Sequence, residues 1–160
     1  MKKAVFLDRD GVINHDPGDY TKSISEFQIL PGVCELIAAI NQKGYEIILI
    51  TNQAGIAKGL YTHDAVAEIH AFLELEIEKS GGKVLDIWYA PDHESKSKSL
   101  FRKPGSLMIE RAAALHDIDL QQSWMVGDKV RDLDCAERAG VKHRLLIPTN
   151  ATFKSLLDLL

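Results

Sequence analysis

Cysteine is scarce: Cys34 and Cys135 are the only two in 160 residues. Each lies in an apolar helical pattern and reads as a small core residue, so a disulfide framework is not expected. Long apolar runs are missing too. None approaches a membrane span, and the opening run Ala4–Leu7 is too short for the core of a secretory leader. The expectation is a cytoplasmic protein with no membrane association. Basic charge is not in excess, since 19 Lys and Arg face 23 Asp and Glu for a net charge of -4, which argues against a nucleic-acid partner. Internal repeats, low-complexity tracts and linkers are absent. What remains is ordinary globular composition, 46% hydrophobic and 26% charged. A chain of this length reads as one domain, residues 1–160, and buries roughly 70% of its unfolded surface.

The stretch Ala4-Val5-Phe6-Leu7-Asp8-Arg9-Asp10-Gly11 organises this domain. Its continuous apolar run predicts a strand buried on both faces of a parallel sheet. Placing Asp8 and Asp10 inside such a strand is costly, so they belong where it ends. In open α/β sheets ligands bind at the carboxyl ends of the strands. Two carboxylates there repel each other and invite a hard divalent cation such as Mg²⁺. Asp-x-Asp-Gly serves equally well as an ordinary turn, and these residues alone leave both readings open.

Further along, strands and helices alternate. A polar segment from Asn14 to Ser25 is either a cover for a ligand or a plain surface loop. Pro31-Gly32 opens a helix, Glu46–Thr51 is a second strand, and a long helix starts with Thr62 as its N-cap. Val66, Ile69, Leu73 and Ile77 form the buried stripe of that helix, with His63 and His70 expected on the surface. Val84–Ala90, Trp124–Val126 and Arg144–Ile147 read as three more strands. Helices precede and follow Trp124–Val126, one carrying Leu107, Ala112 and Leu115 and the other stopping at Gly140. Phe153–Leu160 reads as an amphipathic tail. The alternation predicts an α/β fold with right-handed crossovers and a sheet of about five parallel strands covered on both faces. Polar groups recur where apolar strands end: Asp8 and Asp10, Thr51 and Asn52, then Asp128. One shared pocket along that edge explains all three. The loop Ala54–Gly59 that follows the second strand suits close approach to a ligand or an ordinary turn.

Asp8, Asp10, Thr51, Lys103, Asp128 and Asp132 together suit phosphoryl transfer. One carboxylate attacks, a second moves protons, a third helps hold a metal, and a hydroxyl and an ammonium bind oxyanion charge. Singly, Lys103 also reads as a solvated lysine and Asp132 as a first-turn residue favoured by the helix dipole.

Asp8-Arg9-Asp10-Gly11, Thr51-Asn52-Gln53, Arg102-Lys103-Pro104 and Gly127-Asp128-Lys129-x-x-Asp132 resemble the four ordered motifs of the haloacid dehalogenase superfamily of phosphatases. Within it the chain is similar to the D,D-heptose 1,7-bisphosphate phosphatases and the related histidinol-phosphatase domains. The resemblance covers nearly the whole chain and implies a three-layer, Rossmann-like, nearly capless fold. It implies Asp8 as the nucleophile that becomes an aspartyl phosphate and Asp10 as general acid, then base. It also implies Thr51 and Lys103 as holders of the transferring group. Mg²⁺ would be bound by Asp8, the Asp10 carbonyl and Asp128, with Asp132 in support. Substrate contacts carried over are Asp16, Tyr20, Asn52, Gln53, Ala54, Arg102 and Lys129. The expected partner is a small phosphorylated sugar, and the expected state a monomer.

One departure concerns zinc. Members of this family hold a structural zinc with three cysteines and a histidine before the third motif. Here the matching positions are Ala90, Asp92, Ser99 and Phe101, and no thiolate is available. No zinc is expected, His93 alone does not make a site, and the loop 91–102 must be held by ordinary contacts or move. Histidinol phosphate is the alternative substrate, although Arg102 and Lys129 favour a second phosphate. A receiver-like phosphoacceptor is the alternative of another class. Asp10 and the far position of the fourth motif speak against it.

Overall fold

The computed structural model describes all residues 1–160. Five parallel strands form one sheet: β1 (Lys3–Leu7), β2 (Tyr45–Asn52), β3 (Asp86–Ala90), β4 (Trp124–Gly127) and β5 (His143–Leu146). Four helices alternate with them: α1 (Val33–Gln42), α2 (His63–Lys79), α3 (Leu107–His116) and α4 (Val130–Ala139). The strand order is β3-β2-β1-β4-β5. The chain therefore builds outward from β1 in one direction, then returns to its other side at β4. The gap between the carboxyl ends of β1 and β4 is the topological switch point, where open α/β sheets take their ligands. Leu7 lies opposite Val126 in the register, so Asp8 and Asp128 leave the sheet side by side.

Alternation along β1 explains why its apolar run is continuous. Val5 and Leu7 pack with α1 and α2 on one face, through Ile37, Ile40, Ile69 and Leu73. Ala4 and Phe6 pack with α3 and α4 on the other, through Met108, Ile109, Ala112 and Cys135. Both cysteines are buried and free. Thr62 caps α2, its Oγ1 accepting from the Ala65 amide at 3.1 Å.

Three local readings need correction. β3 begins at Asp86 rather than Val84, because the chain only joins β2 in register at Ile48–Asp86. β5 runs from His143 to Leu146, one residue earlier than the apolar count suggests, and Ile147 is buried just beyond it. His70 is not a surface residue: it is 7% exposed, on the same face of α2 as Val66 and Leu73. His63 is exposed and bonds the Tyr89 hydroxyl at 2.7 Å. In the helix α3, Leu115 points to solvent while Ala112 is buried.

The C-terminal tail folds as a short 3-10 helix over Lys154–Asp158, with Phe153 and Leu156 fully buried against the α1/α2 side. Truncating Phe153→Ala should therefore cost about 3–5 kcal/mol. Urea unfolding of the variant measures this, and a loss under about 1 kcal/mol would show that the tail is not part of the core.

Candidate active site

The carboxyl ends of β1, β2 and β4 bring the motif residues together. Asp8 follows β1 and is 7% exposed. Lys103 reaches it from the loop before α3, its Nζ donating to Asp8 Oδ1 at 2.8 Å. The same ammonium donates to the Ile50 carbonyl at 2.8 Å and pairs with Asp132 Oδ1 at 2.6 Å. Lys103 is thus a buried cation with two hydrogen bonds and a close ion pair, not a solvated lysine. Burial alone would lower its pKa, but Asp132 and Asp8 outweigh that and raise it. Asp132 also accepts from the Lys129 amide at 3.0 Å through Oδ2, capping α4. Asp132 thus pairs with Lys103 from the first turn of α4. Its close approach requires Gly127, since a Cβ there would lie 2.3 Å from that of Asp132.

Asp10 is held differently. Arg9 donates to both its oxygens at 3.0 and 3.2 Å, Asn14 donates at 2.9 Å and Gln53 at 3.0 Å. Burial raises the Asp10 carboxyl, but the Arg9 charge and these hydrogen bonds outweigh it and leave the pKa below its ordinary value. Asp8 moves the other way. Burial pushes its carboxyl well up and the Asp132 charge adds to that, with Lys103 opposing.

Four carboxylates, on Asp8, Asp10, Asp128 and Asp132, thus face only two buried cations, Arg9 and Lys103. With all four ionised, two negative charges are left over among the buried groups; the half-exposed Lys129 ammonium lies 3.4 Å from Asp128 and Arg131 lines the same cavity. Oδ1 of Asp128 is buried without any partner. Asp8, Asp128 and Asp132 each offer an oxygen, all within 4.8 Å of one another. An all-oxygen donor set with two uncompensated charges and an orphaned acceptor fits a hard divalent cation. The group can hold a metal ion. Loop 91–102 itself carries no cysteine for a zinc site.

A small polar cavity of about 40 Å³ opens here, lined by Asp8, Asp10, Asp16, Asn52, Lys103, Asp128, Lys129 and Arg131. Thr51 and Gln53 lie buried behind it. Tyr20, Ala54 and Arg102 are not in its wall. Tyr20 accepts from Lys58 at 2.7 Å and packs on Tyr61, Ala54 is buried, and Arg102 lines a neighbouring cavity of about 290 Å³. The largest cavity, about 480 Å³ between α1 and the C-terminal tail, has none of the motif carboxylates in its wall. Chemistry rather than size places the site at the smaller one.

Loop 91–102 is tied by the Arg102 guanidinium donating to the Asp92 carbonyl at 3.4 Å, and Asn52 anchors the chain just after it. The Asn52 side chain bonds the Lys103 backbone twice, donating to the carbonyl at 3.1 Å and accepting from the amide at 2.9 Å. Phe101 stacks on Trp88, and Arg111 lies 5.0 Å over the Phe101 ring.

Several residues of the site escaped the sequence reading. Thr149 donates to Asp128 Oδ2 at 2.7 Å. Asn150 brackets Asp16, accepting from its amide at 2.7 Å and donating to its carbonyl at 3.0 Å. They follow β5 and belong to no motif. Arg9 is fully buried, with His70 Nε2 at 3.2 Å from its guanidinium. Strand alternation was a usable signal for Arg9, because the residue between two site acids must point back into the opposite layer.

The comparisons with known proteins bear on the same residues. The HAD-hydrolase-like family profile matches residues 100–158. The chain is 41% identical to the D-glycero-beta-D-manno-heptose-1,7-bisphosphate 7-phosphatase of Haemophilus ducreyi, over 92% of this chain and 84% of that protein. This chain belongs to the heptose-bisphosphate phosphatase family of HAD-like hydrolases. The Helicobacter pylori member is 37% identical over 99% of this chain and 97% of its own length. Among solved structures, the D,D-heptose 1,7-bisphosphate phosphatase of B. bronchiseptica, complexed with magnesium and phosphate, superposes with a TM-score of 0.83. It is 35% identical and is matched over 88% of this chain and 78% of its own. The family assignment agrees with the five-stranded parallel sheet and the order of the four motifs.

The buried Arg9–His70 contact predicts acid sensitivity. Burial, and then the Arg9 charge, hold the His70 pKa down at about 3. An unfolded histidine titrates near 6.5, so below that pH the unfolded chain takes up a proton that the folded one refuses. The resulting stability is present above about pH 6.5 and is lost as pH falls towards 3. The slope is up to about 1.4 kcal/mol per pH unit. Urea midpoints at pH 6.5 and 4.5 should fall less in His70→Gln than in the wild type; equal falls would exclude His70 as the source.

Proposed function

We propose that this chain is a Mg²⁺-dependent phosphatase that removes the 7-phosphate of D-glycero-β-D-manno-heptose 1,7-bisphosphate. Residues 1–160 act as one phosphatase domain, as a monomer in the cytoplasm. The observation that carries the reading is the convergence of Asp8, Lys103, Asp128 and Asp132 at the β1/β4 switch point, with two negative charges left for a divalent cation. The names of its relatives and of the magnesium- and phosphate-bound neighbour support the substrate and the metal.

Asp8 is the nucleophile. Its Oδ1 is engaged by Lys103, which leaves Oδ2 to attack phosphorus. The Oδ2–P bond forms as the ester P–O bond breaks, and the Asp10 carboxyl gives its proton to the leaving sugar oxygen. Water then attacks the aspartyl phosphate, Asp10 takes the water proton, and inorganic phosphate leaves. Lys103 and Thr51 hold the transferring group throughout. Asp8, Asp128 and the Asp10 carbonyl would hold Mg²⁺, which would supply charge neutralisation for the phosphoryl oxygens and favour the ionised form of the buried Asp8 carboxyl. Asp10 rests in its carboxylate form, which suits the second half. An anionic phosphoryl group arriving beside it raises its proton affinity for the first half. Asp16, Asn52 and Lys129 line the way in, and Arg102 in the adjoining cavity suits the second phosphate with its bidentate fork.

Asp8→Asn should abolish turnover. Asp10→Asn should slow it by ~10²–10⁴ through loss of proton transfer. Full activity in either variant removes that residue from its role. A panel of heptose 1,7-bisphosphate and histidinol phosphate, each with Mg²⁺ and with chelator, decides the substrate. Phosphate release from the heptose with Mg²⁺ alone is expected, and a preference for histidinol phosphate would overturn the assignment.

A further inference from the structure

We propose that Tyr61 is a positioning residue of this site, fixing the Gln53 side chain so that one amide group addresses Asp10 and Thr51 together. The proposal rests on the phosphatase reading above. The Tyr61 hydroxyl donates to Gln53 Oε1 at 2.7 Å. The other end of that amide, Nε2, donates to Asp10 Oδ2 at 3.0 Å and to Thr51 Oγ1 at 3.0 Å. Tyr61, Gln53 and Thr51 are all buried, so no water competes freely for these bonds.

The orientation follows from donor and acceptor chemistry. An ionised carboxylate only accepts, so the amide must turn its NH₂ towards Asp10. A flipped amide would set its own oxygen against the Asp10 carboxylate, acceptor against acceptor, so Asp10 fixes the orientation and the Tyr61 proton matches the oxygen left at the other end. The phenol thus holds the amide from behind. Burial pushes the Tyr61 pKa up to about 12, so the hydroxyl keeps its donor proton across the working range. Thr51 is affected through the same bond. Its oxygen accepts from Gln53, so its own proton needs another acceptor. The one it has within the protein is the Asn52 carbonyl, at a long 3.4 Å. That proton is free to turn to a phosphoryl oxygen. One amide therefore sets both the proton-transfer group and the phosphoryl-holding hydroxyl.

The loop 54–59 is shaped around this ring. A Cβ on Gly55 would lie 2.1 Å from Tyr61 Cε1, so only glycine lets the backbone lie against the phenol. Tyr20 packs on the outer side at 6.1 Å between ring centroids, and Lys58 of the same loop donates to the Tyr20 hydroxyl at 2.7 Å. The phenol is held on both sides.

The test uses Tyr61→Phe, which removes one oxygen and keeps the ring. With Mg²⁺, kcat and KM are measured on heptose 1,7-bisphosphate and on p-nitrophenyl phosphate. A sugar alkoxide needs a proton from Asp10 to leave, whereas p-nitrophenolate departs without one. The expected result is a fall of about tenfold or more in kcat on the sugar phosphate, with KM within about twofold. On p-nitrophenyl phosphate, which needs the Thr51 part but not the Asp10 proton, the fall should be at least about threefold smaller than on the sugar phosphate. Gln53→Met should show the same split, and it carries the test if Tyr61→Phe does not fold. Equal falls on both substrates, or no fall on either, would overturn the proposal. A wild type that hydrolyses neither ester brings down the phosphatase reading itself, and the role of Tyr61 with it.

Discussion

The ammonium of Lys103 holds the site together. It comes from the loop before α3, and its three partners come from three other places: Asp8 after β1, the Ile50 carbonyl in β2 and Asp132 in the first turn of α4. A buried charge is tolerable only when its partners are complete and well aligned. Here the cation has two hydrogen bonds and two carboxylates beside it, whereas the anions are left short of partners. Four carboxylates outnumber the two buried cations that serve them. The fold accepts this imbalance at one point, the switch point of the sheet, and that is where a cation and a phosphoryl group have their greatest effect.

The two aspartates of the first motif experience opposite environments although only Arg9 separates them. Asp8 is pushed up by burial and by Asp132, whereas Asp10 is kept down chiefly by Arg9. Splitting the proton affinities of two neighbouring carboxyls is how a single site obtains distinct roles for them. Arg9 performs this from beneath, against Phe27 and a His70 that its charge and burial keep neutral. These residues contribute to the site without facing the cavity.

Much of this was legible in the sequence for physical reasons. Continuous apolar runs fix strands buried on both faces, and their polar ends mark the functional edge of a parallel sheet. Asp8, Asp10, Asn52, Lys103, Asp128 and Lys129 were found that way and by motif order, and they do share one cavity wall. What escaped depends on tertiary approach. Tyr61 lies eight residues from Gln53 at the far end of a loop, and no local pattern announces their bond. Thr149 and Asn150 reach Asp128 and Asp16 only because β5 ends beside β4. His70 misled because a polar ring on an amphipathic helix is normally solvated, and its burial is tied to a guanidinium on another element.

The alternation of β1 has one more effect. Its apolar side chains are acceptable to either layer, so hydrophobicity alone would tolerate a slip by one residue against β2 and β4. The charges that follow would not. Such a slip would turn the Arg9 guanidinium towards Lys103, cation against cation, and strand the Asp8 carboxylate among the aliphatic side chains of α1 and α2. The catalytic alphabet at the strand's end thus doubles as a registration mark, penalising a misaligned sheet that its greasy portion could not recognise as wrong.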